Sequence, residues 1–216
     1  MAQQGIPIYF RRTSPKIASY DWVDFTSGAG YKKFYGACAI NAGPTKSYFL
    51  TTKVIDSATG SGAMGLTTRG IGTWAAGAGG DIDIDFDITF NVPAYVATAT
   101  AMLNYTFWND GTASTTATIN VYHVSTGAVE TSIGTITGAT QTTDDAYYRE
   151  CFKIALTGKT FGVGEKLRLN VILTNLAATG IIIIYHDPSS QITVAEAGAL
   201  RTIGTDLVFD VPFRIV

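Results

Sequence analysis

Asp81, Asp83, Asp85 and Asp87 are the residues whose type and spacing come nearest to a chemical site. They alternate with Ile82, Ile84 and Phe86. In a strand, where successive side chains point to opposite faces, the four carboxylates share one face about 7 Å apart. Adjacent carboxylates so placed could lend oxygens to a calcium ion, which takes about six to eight of them. Two other readings compete: a solvent-facing acidic stripe that blunts edge-to-edge pairing, and a docking stripe for basic residues such as Lys32, Lys33 or Arg11 of a neighbour. A calcium loop normally curls backbone carbonyls around its ion. A straight strand does not, so the solvent-facing stripe is preferred and no metal is assigned.

The remaining reactive groups are sparse. His123 and His186 are the only histidines, and no Cys or His lies at the spacing a four-ligand zinc site requires. His186-Asp187 runs into Pro188 and reads as a turn. Cys38 and Cys151 lie far apart and form no metal-type pair, which suits reduced thiols of a reducing cytoplasm. No Gly-x-Ser-x-Gly occurs, and Gly60-Ser61-Gly62 lacks the strand–turn–helix setting of a nucleophile elbow. Asp144, Asp145 and Glu150 offer carboxylates, but their spacing defines no glycosidase cleft. The glycines between Gly60 and Gly80 lack the lysine and hydroxyl residue that end a phosphate loop. These absences lead to the expectation of a protein that is not an enzyme and holds no cofactor.

The elements that would position such groups are strands. Asp81 to Val92 alternates throughout, and further alternating runs follow at Tyr95–Trp108, Thr116–Val124, Ala128–Ile136, Tyr147–Leu156, Glu165–Thr174 and Asp206–Val216. With Ser47–Ile55 and Gly180–His186 this is about eight strands separated by turn signals and no convincing helix. Asn109-Asp110-Gly111 reads as a tight turn. Tyr148, Phe152, Ile154 and Leu156 share a face with Glu150. Ile192 to Arg201 reads as one or two helical turns. Strands this tall predict an all-β, jelly-roll-like antiparallel β-sandwich with an extended N-terminal arm. The division is residues 1–45 as an anchoring arm and 46–216 as the sandwich, with a Gly-rich loop at 57–80.

Composition points to assembly. Of 216 residues, 46% are apolar and only 15% charged, against roughly 25% charged in soluble domains. A surface with so few charges is expected to meet other protein. The net charge of -2 gives no basic field for nucleic acid or anionic lipid. Neither a secretory signal nor an apolar run of membrane-spanning length is seen. The arm is rich in aromatic and basic side chains, and Tyr9, Phe10, Arg11, Arg12, Tyr20, Trp22, Phe25, Phe34 and Tyr35 are the candidate partner-binding residues. Trp108 and Trp74 are the candidates for stacking on a sugar.

Several phrases resemble virion structural proteins of tailed bacteriophages, in particular jelly-roll proteins that decorate or cement a capsid or form head fibres. They are Ile6-Pro7-Ile8-Tyr9-Phe10, Ala18-Ser19-Tyr20-Asp21-Trp22-Val23-Asp24, Phe34-Tyr35-Gly36, Gly164-Glu165-Lys166-Leu167-Arg168-Leu169 and Ile184-Tyr185-His186-Asp187-Pro188. The resemblance implies a non-enzymatic virion protein that binds the major capsid or other virion proteins through its arm and is assembled in a bacterial cytoplasm. It also implies a homo-oligomer, a trimer before other numbers. The alternative is a glycan- or receptor-binding module of a phage tail, baseplate or fibre.

Overall fold

The structure is a computed structural model that describes residues 29–40, 46–52, 73–75, 80–110, 114–142, 146–177, 180–186, 191–196, 199–204 and 206–214. Every element among them is a strand. In chain order they are β1 (Ala29–Ile40), β2 (Lys46–Thr51), β3 (Thr73–Ala75), β4 (Ile82–Thr89), β5 (Ala94–Val96), β6 (Thr100–Asp110), β7 (Thr115–Val124) and β8 (Glu130–Thr137). Then come β9 (Ala146–Ala155), β10 (Lys159–Phe161), β11 (Lys166–Asn175), β12 (Ile181–Tyr185), β13 (Gln191–Glu196), β14 (Ala199–Gly204) and β15 (Val208–Arg214).

The expected two-sheet jelly roll is not what forms. Nine strands make one wall that closes 353° round, a nearly complete barrel. Hydrogen-bonded neighbours run β9, β6, β15, β1, β2, β4, β11, β7, β8. Every junction is antiparallel except β2 with β4, which are parallel and meet at the single pair Phe49–Asp87. β12 continues the β6 edge beyond β15, pairing Ile181–Tyr185 with Asp110–Thr106, and β3 lies outside it. A sandwich and a barrel both demand one apolar and one polar face per strand, so alternation alone could not separate them. Strand pairing decides, and here β6 is paired along both edges while β8 returns to the flank of β9.

Alternation does fix what points inward. Ile82, Ile84 and Phe86 of β4, Ile119 and Val121 of β7, Leu167, Leu169, Val171 and Leu173 of β11, and Phe209 and Val211 of β15 are all buried in one core. The chain has three further surprises. Residues 29–40, read as part of the arm, form β1 in the wall between β15 and β2. Ile192–Arg201, read as helical, belongs to the β13–β14 hairpin, a separate two-stranded sheet. The Asn-Asp-Gly signal does not make a hairpin either, because β7 pairs with β11 and β8 and not with β6. Asn109 is fully buried and acts as a bracket: its amide group donates to the Gln141 carbonyl (3.3 Å) and its oxygen accepts from the Thr115 hydroxyl (2.6 Å).

Candidate functional site

Three polar constellations stand out on this wall, one outside it and two inside. Outside, the aspartates of β4 face β11. Arg168 lies opposite Asp87 in register and grips it with two parallel bonds, Nε to Oδ1 at 2.7 Å and Nη2 to Oδ2 at 2.8 Å. Its Nη1 reaches Asp85 at 2.8 Å and Glu130 at 2.6 Å, while Lys166 adds a bond to Asp87 at 3.3 Å. One register step away, Asn170 donates to Asp83 (2.6 Å) and Asp85 (2.9 Å), and its oxygen accepts from Asn120, which in turn accepts from Thr135. Burial opposes ionisation of both Asp85 and Asp87. At Asp87 the Arg168 fork and Lys166 outweigh it and hold the carboxyl below its usual value; at Asp85 burial wins and the value rises. The cations facing this stripe therefore belong to the same chain. Among the described residues no group of three or more His, Cys, Asp or Glu side chains is placed to hold a metal.

Inside the wall, at the end where β7 turns into β8, His123 Nε2 meets Glu165 Oε2 at 2.8 Å. The same oxygen accepts the Gly162 N–H at 2.6 Å. That backbone bond, with His123 second, holds the Glu165 carboxyl below its usual range. The imidazole lies edge-on to Phe161, and its Nδ1 is buried without a hydrogen-bond partner. A hydrolytic histidine needs its second nitrogen facing a nucleophile. Here that nitrogen faces packed core, so the pair works as a clamp on the 162–165 turn.

The third constellation lies where β8 and β9 meet. Glu150 is directly opposite Tyr105 and shares its inward face. One carboxylate oxygen accepts from the Tyr105 hydroxyl (3.2 Å) and the other from the Gln141 amide (3.0 Å). Gln141 is itself tied to Thr115 by a reciprocal pair of backbone bonds. Tyr105 stacks on Phe107 and Phe152, and Phe107 on Tyr148, so the carboxyl sits at the edge of an aromatic wall. Burial, only partly offset by the two donors, raises the Glu150 carboxyl above its usual value. A titratable group shifted by desolvation is the kind that functional sites contain.

Of the candidate partner-binding residues, Tyr9, Phe10, Arg11, Arg12, Tyr20, Trp22 and Phe25 lie outside the described residues. Phe34 is a core residue of β1, opposite Phe209 and edge-on to Phe213. Tyr35 is half-buried beside it, opposite Val208. Trp108 is half-buried on the outer face and stacks on Tyr147. Cys151 is a free, exposed thiol. Neither the Tyr105–Glu150–Gln141 cluster nor the His123–Glu165 pair follows from the sequence reading. The signal for the first was present in Glu150, a carboxylate standing in an apolar row.

No protein-family model matches the chain, and no curated protein does. Solved structures do share its fold. A CocE/NonD family hydrolase from Staphylococcus aureus superposes with a TM-score of 0.53 at 11% identity, over 87% of this chain and 37% of that one. A second crystal structure of that hydrolase gives 0.49 over 86% and 37%, also at 11% identity. An aminopeptidase from a marine sediment Thaumarchaeota archaeon gives 0.46 at 8% identity, over 88% and 37%. The chain thus spans little more than a third of the length of these structures.

The fold overturns the phage reading. The wall is a nearly closed barrel and not a jelly roll, and the structure that superposes with a TM-score above 0.5 is a hydrolase, so the resemblance to capsid-decorating proteins and the virion role drawn from it are withdrawn. The expectation of a protein that is not an enzyme is withdrawn as well, because a barrel of this fold forms part of a solved hydrolase. The physical reason for the error is plain. Low charge and tall alternating strands describe any well-buried β wall, whatever stands beside it.

Proposed function

We propose that the barrel is the β-domain of a hydrolytic enzyme acting on ester or amide bonds, set on the substrate side of the reaction. The observation that carries this reading is the fold shared over 87% of this chain with part of a CocE/NonD family hydrolase. The interior chemistry supports a presenting role. Among the described residues, His123 is held by a carboxylate on the inner face and has no partner on its other nitrogen, whereas Glu150 is half-buried with no described cation beside it. Such a carboxyl can accept a hydrogen bond from a substrate N–H or O–H. The bond-breaking nucleophile then belongs to a part of the protein outside the described barrel.

Titration calorimetry of the full chain with short acyl esters and with aminoacyl amides tests the reading, with turnover followed in the same samples. Saturable binding to members of either series, weakened in Glu150→Gln, is the expected result. Neither binding nor turnover across both series would overturn it.

A further inference from the structure

Among the described residues five large apolar side chains are exposed, and three of them stand at one end of the barrel. Val92 follows β4, Val129 closes the turn from β7 into β8, and Val163 lies between β10 and β11, at 68%, 65% and 62% exposure. The turns that carry them pack together. Phe90 N–H bonds to the Glu165 carbonyl at 2.9 Å, and Gly164 N–H to the Phe90 carbonyl at 2.8 Å. A Cβ on Gly164 would lie 3.3 Å from the Thr126 methyl. Residues 90–93, 125–129 and 162–164 include no charged side chain. The charges next to them are engaged elsewhere: Glu130 with Arg168, Lys166 with Asp87, and Glu165 with His123. Ala128 holds φ at 60°, which glycine adopts with less strain, and so adds an exposed methyl to the same end. Single surface valines are ordinary, but three on interlocked, chargeless turns form a patch.

We propose that this end of the barrel is the docking surface for the chain's own N-terminal segment, residues 1–28, through the stretch from Tyr20 to Phe25. Connectivity selects this occupant. β1 pairs Gly30 with Phe213, and the Phe213 ring stands 6.0 Å from that of Phe90, so the chain enters the wall beside the 90–93 turn. Strand direction agrees: Tyr35 pairs with Thr51 of β2, and β2 runs parallel to β4 through Phe49–Asp87, which sets the start of β1 and the end of β4 at the same end. Trp22 is seven residues before Ala29, at most about 25 Å of extended chain. A tether that short keeps the stretch at high local concentration near the three turns, so weak contacts suffice. Composition fits as well, since Tyr20, Trp22, Val23 and Phe25 fall within six residues. Rings laid on valine methyls remove apolar surface from water on both partners. A second copy or a separate protein would have to displace a segment already tethered beside the patch. The inference does not depend on the hydrolytic reading, and its test involves no substrate.

The full chain with labelled valine methyls tests the docking. Nuclear Overhauser contacts are expected between the Trp22 or Phe25 ring protons and the methyls of Val129 and Val163. In a mixture of differently labelled chains they should arise within single molecules and persist on dilution. A soluble paramagnetic agent should leave these methyls shielded in the wild type and reach them in the Trp22→Ser/Phe25→Ser double variant. The buried methyls of Val121 and Val171 should stay shielded in both proteins, which shows that the barrel is intact. Absence of the ring–methyl contacts would overturn the proposal. So would contacts that arise only between differently labelled chains, because a second copy would then hold the patch. Equal access of the agent to Val129 and Val163 in the two proteins, whether high or low, would overturn it too.

Discussion

Gly134 lies beneath Leu156 across the barrel seam, so close that a single added carbon would stand 2.6 Å from Leu156 Cδ2. Nothing larger than glycine fits while the strands keep this separation, because the next nearest atom is the Ala155 carbonyl oxygen at 2.9 Å, part of the backbone. Gly138 faces a similar approach from Phe152 at 2.8 Å, but there the obstacle is the tip of a ring that can swing. Gly134→Ala should therefore cost about 1–3 kcal/mol by overpacking, and Gly138→Ala distinctly less. Urea denaturation of both variants checks the order; equal losses would mean the seam is looser than described.

The Arg168 fork gives a second expectation. Its bonds to Asp87 are bidentate and half-buried, between an exposed pair worth ~0–1 kcal/mol and charged hydrogen bonds worth ~1.5–3 kcal/mol. Arg168→Ala should cost ~1–2 kcal/mol and leave Asp85, Asp87 and Glu130 repelling one another. Added salt should then recover part of the loss in the variant. A double-mutant cycle with Asp87→Asn isolates the pair, and a coupling near zero would refute its role.

Acid should destabilise the fold through the lowered carboxylates. Glu165 and Asp87 have folded values below their unfolded ones, so the stability they contribute is present above the unfolded carboxyl range and is lost as pH falls through the folded values. Glu165→Gln should flatten that part of the acid profile and speed exchange at the Gly162 amide, which bonds to Glu165. An unchanged Gly162 rate would show that the turn is held by other contacts.

How much of this was legible beforehand differs by level. The period of two in Asp81–Val92 placed Ile82, Ile84 and Phe86 inward, and the same rule placed Leu167 to Leu173. Pairing was not legible, since the register that sets Arg168 opposite Asp87 depends on which strands meet. Asn109 reads as a turn former in a Gly-containing context, yet burial turned its side chain into a bracket between Gln141 and Thr115. His123 gave no signal because Glu165 is 42 residues away. Glu150 was visible as an odd carboxylate in an apolar row, but its partners Tyr105 and Gln141 come together only when the wall closes.

Closure of a single wall underlies the fold comparison and the glycine contacts alike. The most direct test is a nuclear Overhauser measurement between the Ile133–Gly134 and Leu156–Thr157 backbone protons of the full chain. The barrel predicts strong cross-seam contacts there and a slowly exchanging Thr157 amide. Were β8 and β9 edges of two stacked sheets, about 10 Å apart face to face, those contacts would be missing and both strands would exchange as free edges, which would contradict the closed barrel.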